Sequence, residues 1–499
     1  MFKSKLIKPF ASYVAGRVEK QRQNALADQE SVFKKLIQSA SLTKFGKEHS
    51  FKSIQSYKDF VNNVPIRDYE QGRPYYDAIV SGEKDVLWPG RPAYFAKTSG
   101  TTSGVKYIPL TRASMPNHMN TARTALLNYA SNPGKSKLFD GKVMFLSGSP
   151  TLTDTNGTPT GRLSGIVNHE IPAWIKGNQL PSYSTNCIEN WEEKVDLIVE
   201  ETYNKDLRLI SGIPPWVQMY FERLLERTNK SSVIEVFKNL QVFMYGGVNY
   251  EPYRQALESL IGRRIDTIET FPASEGFIAF EDDQDKEGLL LNTNSGIFFE
   301  FVPLSEIFNQ SPTRLNLSQV SIGVDYALIL SNNAGLWAYN IGDTVRFVSL
   351  KPFRLVVSGR IKHFISAFGE HVIAKEVEES VEGAIKRFHC NIREFTVAPQ
   401  VNPNDGGPPY HEWFIEFDSL PEDLNKIASF IDQRLREQNI YYDDLIEGKI
   451  LKPLVIRALK KNAFRDMMKS QGKLGGQNKV PRLSNNREVA DLLDQYTIS

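Results

Sequence analysis

Between Arg112 and Tyr245, helix-periodic stretches and short apolar runs alternate. The helical period is read over Arg112–Tyr129, Trp191–Asn204 and Pro215–Thr228, and strand-like runs over Val143–Leu146, Leu207–Ile210 and Val242–Tyr245. This alternation confines the chain to the α/β class, with mixed or parallel sheets and helices packed on them. Ser31–Leu42 and Leu424–Gln438 add helices, and Gly296–Pro303, Tyr326–Leu330 and Arg354–Val357 add strands. The stretch NPNDGGPPY (402–410) is a hairpin or exposed loop, not a domain boundary. The boundary falls near SGRIKHF (358–364), beyond which a smaller, more Lys- and Glu-rich α+β unit begins. The expected division is therefore a large unit, 1–358, and a small one, 359–499.

Composition excludes several function classes. A net charge of +2 over 499 residues supplies no electrostatic reason to bind nucleic acid. Cys187 and Cys390 are the only cysteines, too few for a disulfide framework or a cysteine-rich metal site. That suits a reducing compartment, and the expected location is cytoplasmic. Charge interrupts every apolar run of the basic, amphipathic opening MFKSKLIKPFASYVAGRVEKQRQN, which argues against a signal peptide or a membrane span; no membrane partner is expected, membrane-surface contact being the alternative. A packed or frayed N-terminal helix is expected there.

Residues 95–111 read FAKTSGTTSGVKYIPLT, and every residue from 98 to 104 is Ser, Thr or Gly. A Walker loop needs G-x-x-x-x-G-K-[ST]. Here only three residues separate Gly100 from Gly104, Lys106 comes one residue late, and no Ser or Thr follows it. A hydrolase elbow needs serine between its glycines, and Thr102 holds that place. What is left is a loop rich in N–H and hydroxyl donors that closes on a lysine and a short strand, Tyr107–Leu110. It is either a polyphosphate cradle or a plain connection.

Three more segments stand out in order along the chain. TFPASEGF (270–277) sets Glu275 after Ser274 between apolar neighbours; taken alone, Ser-Glu reads as a surface turn. WAYNIGDTVRF (337–347) contains Gly342-Asp343, which alone reads as a hairpin turn. GGQNKVPRL (475–483) presents Lys479 in a glycine-rich loop, or is a basic tail.

Together these segments resemble the motifs of adenylate-forming enzymes. T-S-G-T-T-S-G-x-K resembles their phosphate loop, from Thr98, Ser99, Gly100, Thr101 and Thr102 to Lys106. VVSGRIKHFISAFGEHV (356–372) resembles their hinge and the first hairpin of a small mobile domain. With YGGVNYEPYR (245–254), SGIPPW (211–216) and Q-x-K-x-P-R (477–482), the chain is similar in more detail to the Gretchen Hagen family of acyl acid–amido synthetases. That family is first known from auxin-responsive plant proteins and has bacterial members. The short chain and its hinge segment lead us to expect a bacterial-type member.

The resemblance implies a set of roles. Glu275 would hold Mg2+, with Ser274 beside the adenine. Gly246, Gly247 and Val248 would border the adenine, and Asp343 would accept hydrogen bonds from both ribose hydroxyls. Arg360 would reach the nucleotide and Lys362 would mark the hinge; His371 stands where relatives carry Lys or Arg. Lys479, with Lys106, would offset charge between the acid and the α-phosphate. Trp216 opens a helix resembling the acyl-pocket helix, though Trp216 and Met219 also read as ordinary core. Arg123 is either a partner for a substrate carboxylate or a surface charge.

The implied reaction joins a small carboxylic acid to ATP as an acyl adenylate, then passes the acyl group to an amino acid. A ligase with coenzyme A as acceptor shares the first half of this reaction. A non-catalytic nucleotide- and acid-binding descendant is the remaining alternative, although it would have little use for Lys106, Glu275, Asp343 and Lys479 together.

Overall fold

The computed structural model describes residues 3–498 apart from 99–104, 172–176, 189, 248–249, 308, 362–363, 366, 371, 472–479 and 481. Its centre is a twelve-stranded mixed sheet. One half is parallel, in the order Gln179–Leu180, Lys142–Phe145, Leu207–Ser211, Val242–Gly246 and Asp266–Ala273. Helices connect several of these strands, and a strand re-entered through a crossover lies parallel to its neighbour. Leu207, Leu209, Ile210 and Val242 have no exposed surface, as expected of strands covered on both faces. From Asp266 onward every neighbouring pair in the sheet is antiparallel.

A separate four-stranded sheet contains Tyr94–Thr98, Lys106–Leu110, Thr153–Thr155 and Thr158–Gly161. The C-terminal portion carries the three strands Ile392–Gln400, Tyr410–Phe417 and Val455–Leu459. The first two pair antiparallel across 401–409, so the Pro/Gly-rich stretch is a hairpin connection. Trp413, Ile431 and Leu435 of this portion join the same apolar cluster as Tyr220, Phe221 and Phe243, which packs the small sheet's helical layer onto the large one.

The N-terminal segment is one 38-residue helix, Lys3–Ala40, which joins the helix expected over the opening 24 residues to the helical period at Ser31–Leu42. Two polar residues of this helix are buried and bonded to the sheet. The Gln21 amide donates to the Leu291 carbonyl at 3.0 Å, and the Gln29 amide to the Thr293 and Ile297 carbonyls at 2.8 Å each. No helix among the described residues is long and apolar enough to cross a membrane.

Candidate active site

The Ser/Thr/Gly loop connects an antiparallel hairpin. Tyr94–Thr98 pairs with Lys106–Leu110 in a register that puts Thr98 opposite Lys106. Ser99, Gly100, Thr101 and Thr102 lie outside the described residues, but their two anchors stand side by side. The Lys106 ammonium lies 5.6 Å from the centre of the Tyr69 ring. Tyr69 accepts the Tyr107 N–H at 3.0 Å and stacks on Tyr76 at 4.5 Å, and Tyr76 meets the edge of Tyr339 at 6.5 Å. A buried aromatic column thus runs from the loop's lysine to the strand that carries Asp343.

Ser274 and Glu275 form the tip of a second hairpin, because Ala273 pairs with Gly276 across it. The turn read from sequence is real, but it faces a cavity. Its backbone is clamped by two asparagines. Asn117 accepts the Phe277 N–H at 2.6 Å and donates to Ser295 Oγ at 2.8 Å, while Asn332 donates to the Glu275 carbonyl at 2.6 Å. The Tyr339 hydroxyl is pushed well above the ordinary tyrosine range, by burial first and by the Glu275 carboxylate second. Tyr76 shifts the same way, through burial, then Tyr69, then Glu275. The carboxylate therefore stands close to the column that Lys106 caps.

Asp343 lies inside the long strand Tyr339–Leu350, not in a hairpin turn, and is 6% exposed. Gly342 just before it has φ +86°, a left-handed conformation that glycine adopts without strain. The Gly342 N–H donates to Asn340 Oδ1 at 2.9 Å, and its carbonyl accepts from the Ile361 N–H at 2.8 Å. Arg360 is the strand partner of Asp343 along the backbone. The Arg360 side chain, Val248, Lys362, His371 and Lys479 lie outside what is described.

Gly246 ends the strand Val242–Gly246 under steric constraint. A Cβ there would come within 2.5 Å of both the Thr270 carbonyl and its hydroxyl. Gly246→Ala is expected to destabilise the protein by about 1–3 kcal/mol through forced backbone displacement. Gly247→Ala meets no neighbour within 4 Å but is strained by a φ of +78°. Chemical denaturation of both variants checks this; an unshifted midpoint for Gly246→Ala would contradict it.

These elements border one cavity of about 1740 Å3, at the carboxyl ends of the parallel strands. Thr98, Lys106, Gly246 and Gly247 line it, and so do Ser274, Glu275 and Asp343. Trp216 borders it too, its ring tilted against Trp191 at 4.4 Å, while Val217, Tyr220 and Phe221 of the same helix are fully buried. Arg123 stands exposed at the rim, donating to Asn120 Oδ1 at 2.8 Å.

Some contributors carried no recognisable sequence signal. Asp68, N-cap of the helix Tyr69–Val80, lines the cavity, and so does Tyr441. The Tyr441 hydroxyl donates to the Lys97 carbonyl at 3.0 Å, the Arg162 guanidinium lies 5.0 Å from its ring centre, and Arg162 pairs with Asp444. The helix Ile440–Glu447 of the C-terminal portion therefore sits against the stem of the loop hairpin. Lys97, which has no role in the sequence reading, donates to Thr153 Oγ1 at 3.1 Å.

The fold is shared with solved structures of an acyl acid amido synthetase and an acyl-CoA ligase. It superposes on the AtGH3.15 acyl acid amido synthetase in complex with 2,4-DB with a TM-score of 0.63, 18% identity, and coverage of 98% of this chain and 96% of that one. It also superposes on 2-hydroxyisobutyryl-CoA ligase with a TM-score of 0.55, 13% identity, and coverage of 98% and 92%. Sequence models of the GH3 family N-terminal, central and C-terminal domains match residues 14–182, 290–360 and 375–488, and the chain belongs to the GH3 family. Among its relatives is the jasmonoyl–L-amino acid synthetase JAR4 of Nicotiana attenuata, 22% identical over 91% of this chain and 90% of the relative. The indole-3-acetic acid-amido synthetase GH3.3 of Arabidopsis thaliana is 24% identical over 40% of this chain and 36% of the relative. Both come from plants, and the expectation of a bacterial-type member is not borne out.

Proposed function

We propose that this chain is an ATP-dependent acyl acid–amido synthetase. The carrying observation is that one cavity gathers the loop anchors Thr98 and Lys106, the Glu275 hairpin, Asp343 and the Gly246–Gly247 turn in a GH3-family chain. In the first step a carboxylate oxygen attacks the α-phosphorus of ATP and pyrophosphate leaves. In the second, an amino acid's amine attacks the acyl carbon, the bond to AMP breaks, and the amine gives up a proton.

In this reading the Lys106 ammonium and the loop donors, Thr98 to Thr102, hold the phosphates while Asp343 accepts from the ribose hydroxyls. Gly246, Gly247, Val248 and Ser274 flank the base, Arg360 reaches the nucleotide, and Arg123 at the rim draws the anionic acid inward. Trp216 serves as an apolar wall. Lys479 is assigned to the developing charge between acid and α-phosphate. Mg2+ suits Glu275, whose carboxylate at the cavity is a hard oxygen ligand, the ion's remaining positions going to water and phosphate. Bound there, it would neutralise phosphate charge during the displacement.

The division at 358/359 belongs to the same proposal, with Lys362 at the hinge and the small unit moving between steps. The Tyr441 contact to the loop stem is the closed side of that motion and keeps water from the mixed anhydride. A cytoplasmic setting supplies ATP and keeps both cysteines reduced.

The test is product analysis. Acid, ATP and Mg2+ are supplied with either an amino acid or coenzyme A. Amide, AMP and pyrophosphate support the proposal; thioester without amide makes the chain a coenzyme A ligase, and no pyrophosphate with any acid removes the catalytic reading. Asp343→Ala is expected to raise KM for ATP by about ten- to a hundredfold with little change in kcat, since hydrogen bonds to the ribose hold ground and transition states alike. An unchanged KM would take Asp343 out of the ribose site.

A further inference from the structure

Resting on that adenylation reading, we infer that the acid is a long apolar one, an aliphatic chain lying in an arm of the cavity between the sheet and the helix Met115–Ser131. Met119, Ala122 and Leu126, three and four residues apart, line the arm from that helix. Val143 and Phe145 line it from the sheet, and Ile7 and Phe10 of the N-terminal helix border its far end. Ala122, Leu126 and Phe145 pack on one side against the core that holds Ala125, Leu127 and Tyr129, yet they and Met119 stay only half-buried where they line the cavity. Sheet–helix interfaces are normally packed without such a gap.

The arm starts beside the reacting end. Asn117 clamps the Glu275 hairpin, and Leu126 lies further along the same helix. The intervening rise is about 14 Å, the length of an extended chain of roughly ten to twelve carbons. His118 on this helix is buried with no partner for Nδ1 among the described residues, and burial lowers its pKa to about 4, so it adds no charge near neutrality. Arg123 turns outward to Asn120, and the Asn178 amide is bonded to the Gly141 carbonyl at 2.7 Å. The far end is open, with Leu6 75% and Phe10 47% exposed, so a chain longer than the arm runs into solvent instead of clashing.

The test is pyrophosphate release along a series of straight-chain acids. Between roughly four and twelve carbons, kcat/KM is expected to rise by up to about fourfold per added methylene, then level off. Ala122→Phe should cut the ratio of kcat/KM for dodecanoate over butyrate by about twentyfold. Being a ratio within one preparation, this readout does not depend on the fraction folded. A flat or falling series, or an unchanged ratio in Ala122→Phe, overturns the inference while short acids still adenylate. No pyrophosphate with any acid overturns the adenylation reading and the inference with it.

Discussion

Glu275→Gln should lower kcat/KM for pyrophosphate release by about 10²–10³-fold, the scale seen when one electrostatic partner of a transition state is removed. Glutamine keeps the shape and removes the charge. The fold should survive, because the hairpin tip is held through its backbone: Asn332 grips the Glu275 carbonyl and Asn117 the Phe277 N–H. If Glu275 positions Mg2+, the variant should also need more Mg2+ for half-maximal rate. Steady-state pyrophosphate release at varied Mg2+ reads both effects, and a rate within a few fold of the parent at every Mg2+ level would remove the metal role.

Lys479→Ala should reduce adenylation by about 10²-fold or more while sparing the attack of an amino acid on preformed acyl adenylate, in which the α-phosphate is no longer being displaced. Lys479 lies outside the described residues, but the segment just beyond it is anchored. The Val397 N–H donates to the Arg482 carbonyl at 3.0 Å, the Ser484 N–H to the Val397 carbonyl at 2.9 Å, and Arg482 pairs with Glu394. Asn485 borders the cavity, so this stretch runs from the small sheet to the site. Comparing the two half-reactions decides the role: normal adenylation by Lys479→Ala shows the assignment to be wrong, and equal loss in both halves points to a structural part.

The central strands and several helices were legible because their surroundings agree with their local pattern. Leu424–Gln438 occupies the span its helical period indicates, and Val242–Gly246 extends its apolar run by one residue. The single helix Lys3–Ala40 was read as two, over residues 1–24 and Ser31–Leu42, because Gln29 between them looks like a surface residue yet is a buried donor to strand carbonyls. Asp343 looked like a turn because Gly342-Asp343 is a turn pair; a positive φ at Gly342 is absorbed within a strand instead.

Motif residues of the site were legible for their types and order. The contacts that support them were not. Tyr69, Tyr76 and Tyr339 meet ring to ring across 270 positions of sequence, Asn117 clamps a turn 160 positions away, and Tyr441 bonds the carbonyl of Lys97 at a separation of 344. Such pairings have no local periodicity, so only the folded chain reveals them. Trp216 lines the cavity, and the partly buried Met219 packs against the core, its sulfur accepting the Trp191 indole N–H at 2.9 Å.

The central claim is that the acid's oxygen attacks the α-phosphorus and leaves with AMP when the amide forms. Turnover of an acid labelled with oxygen-18 in its carboxylate, followed by mass analysis of every product, tests it most directly. The expected result is one labelled oxygen in AMP, unlabelled pyrophosphate, and an acyl–amino acid amide retaining the other label. Label in inorganic phosphate with ADP as the nucleotide product would place the attack at the γ-phosphate and contradict the account.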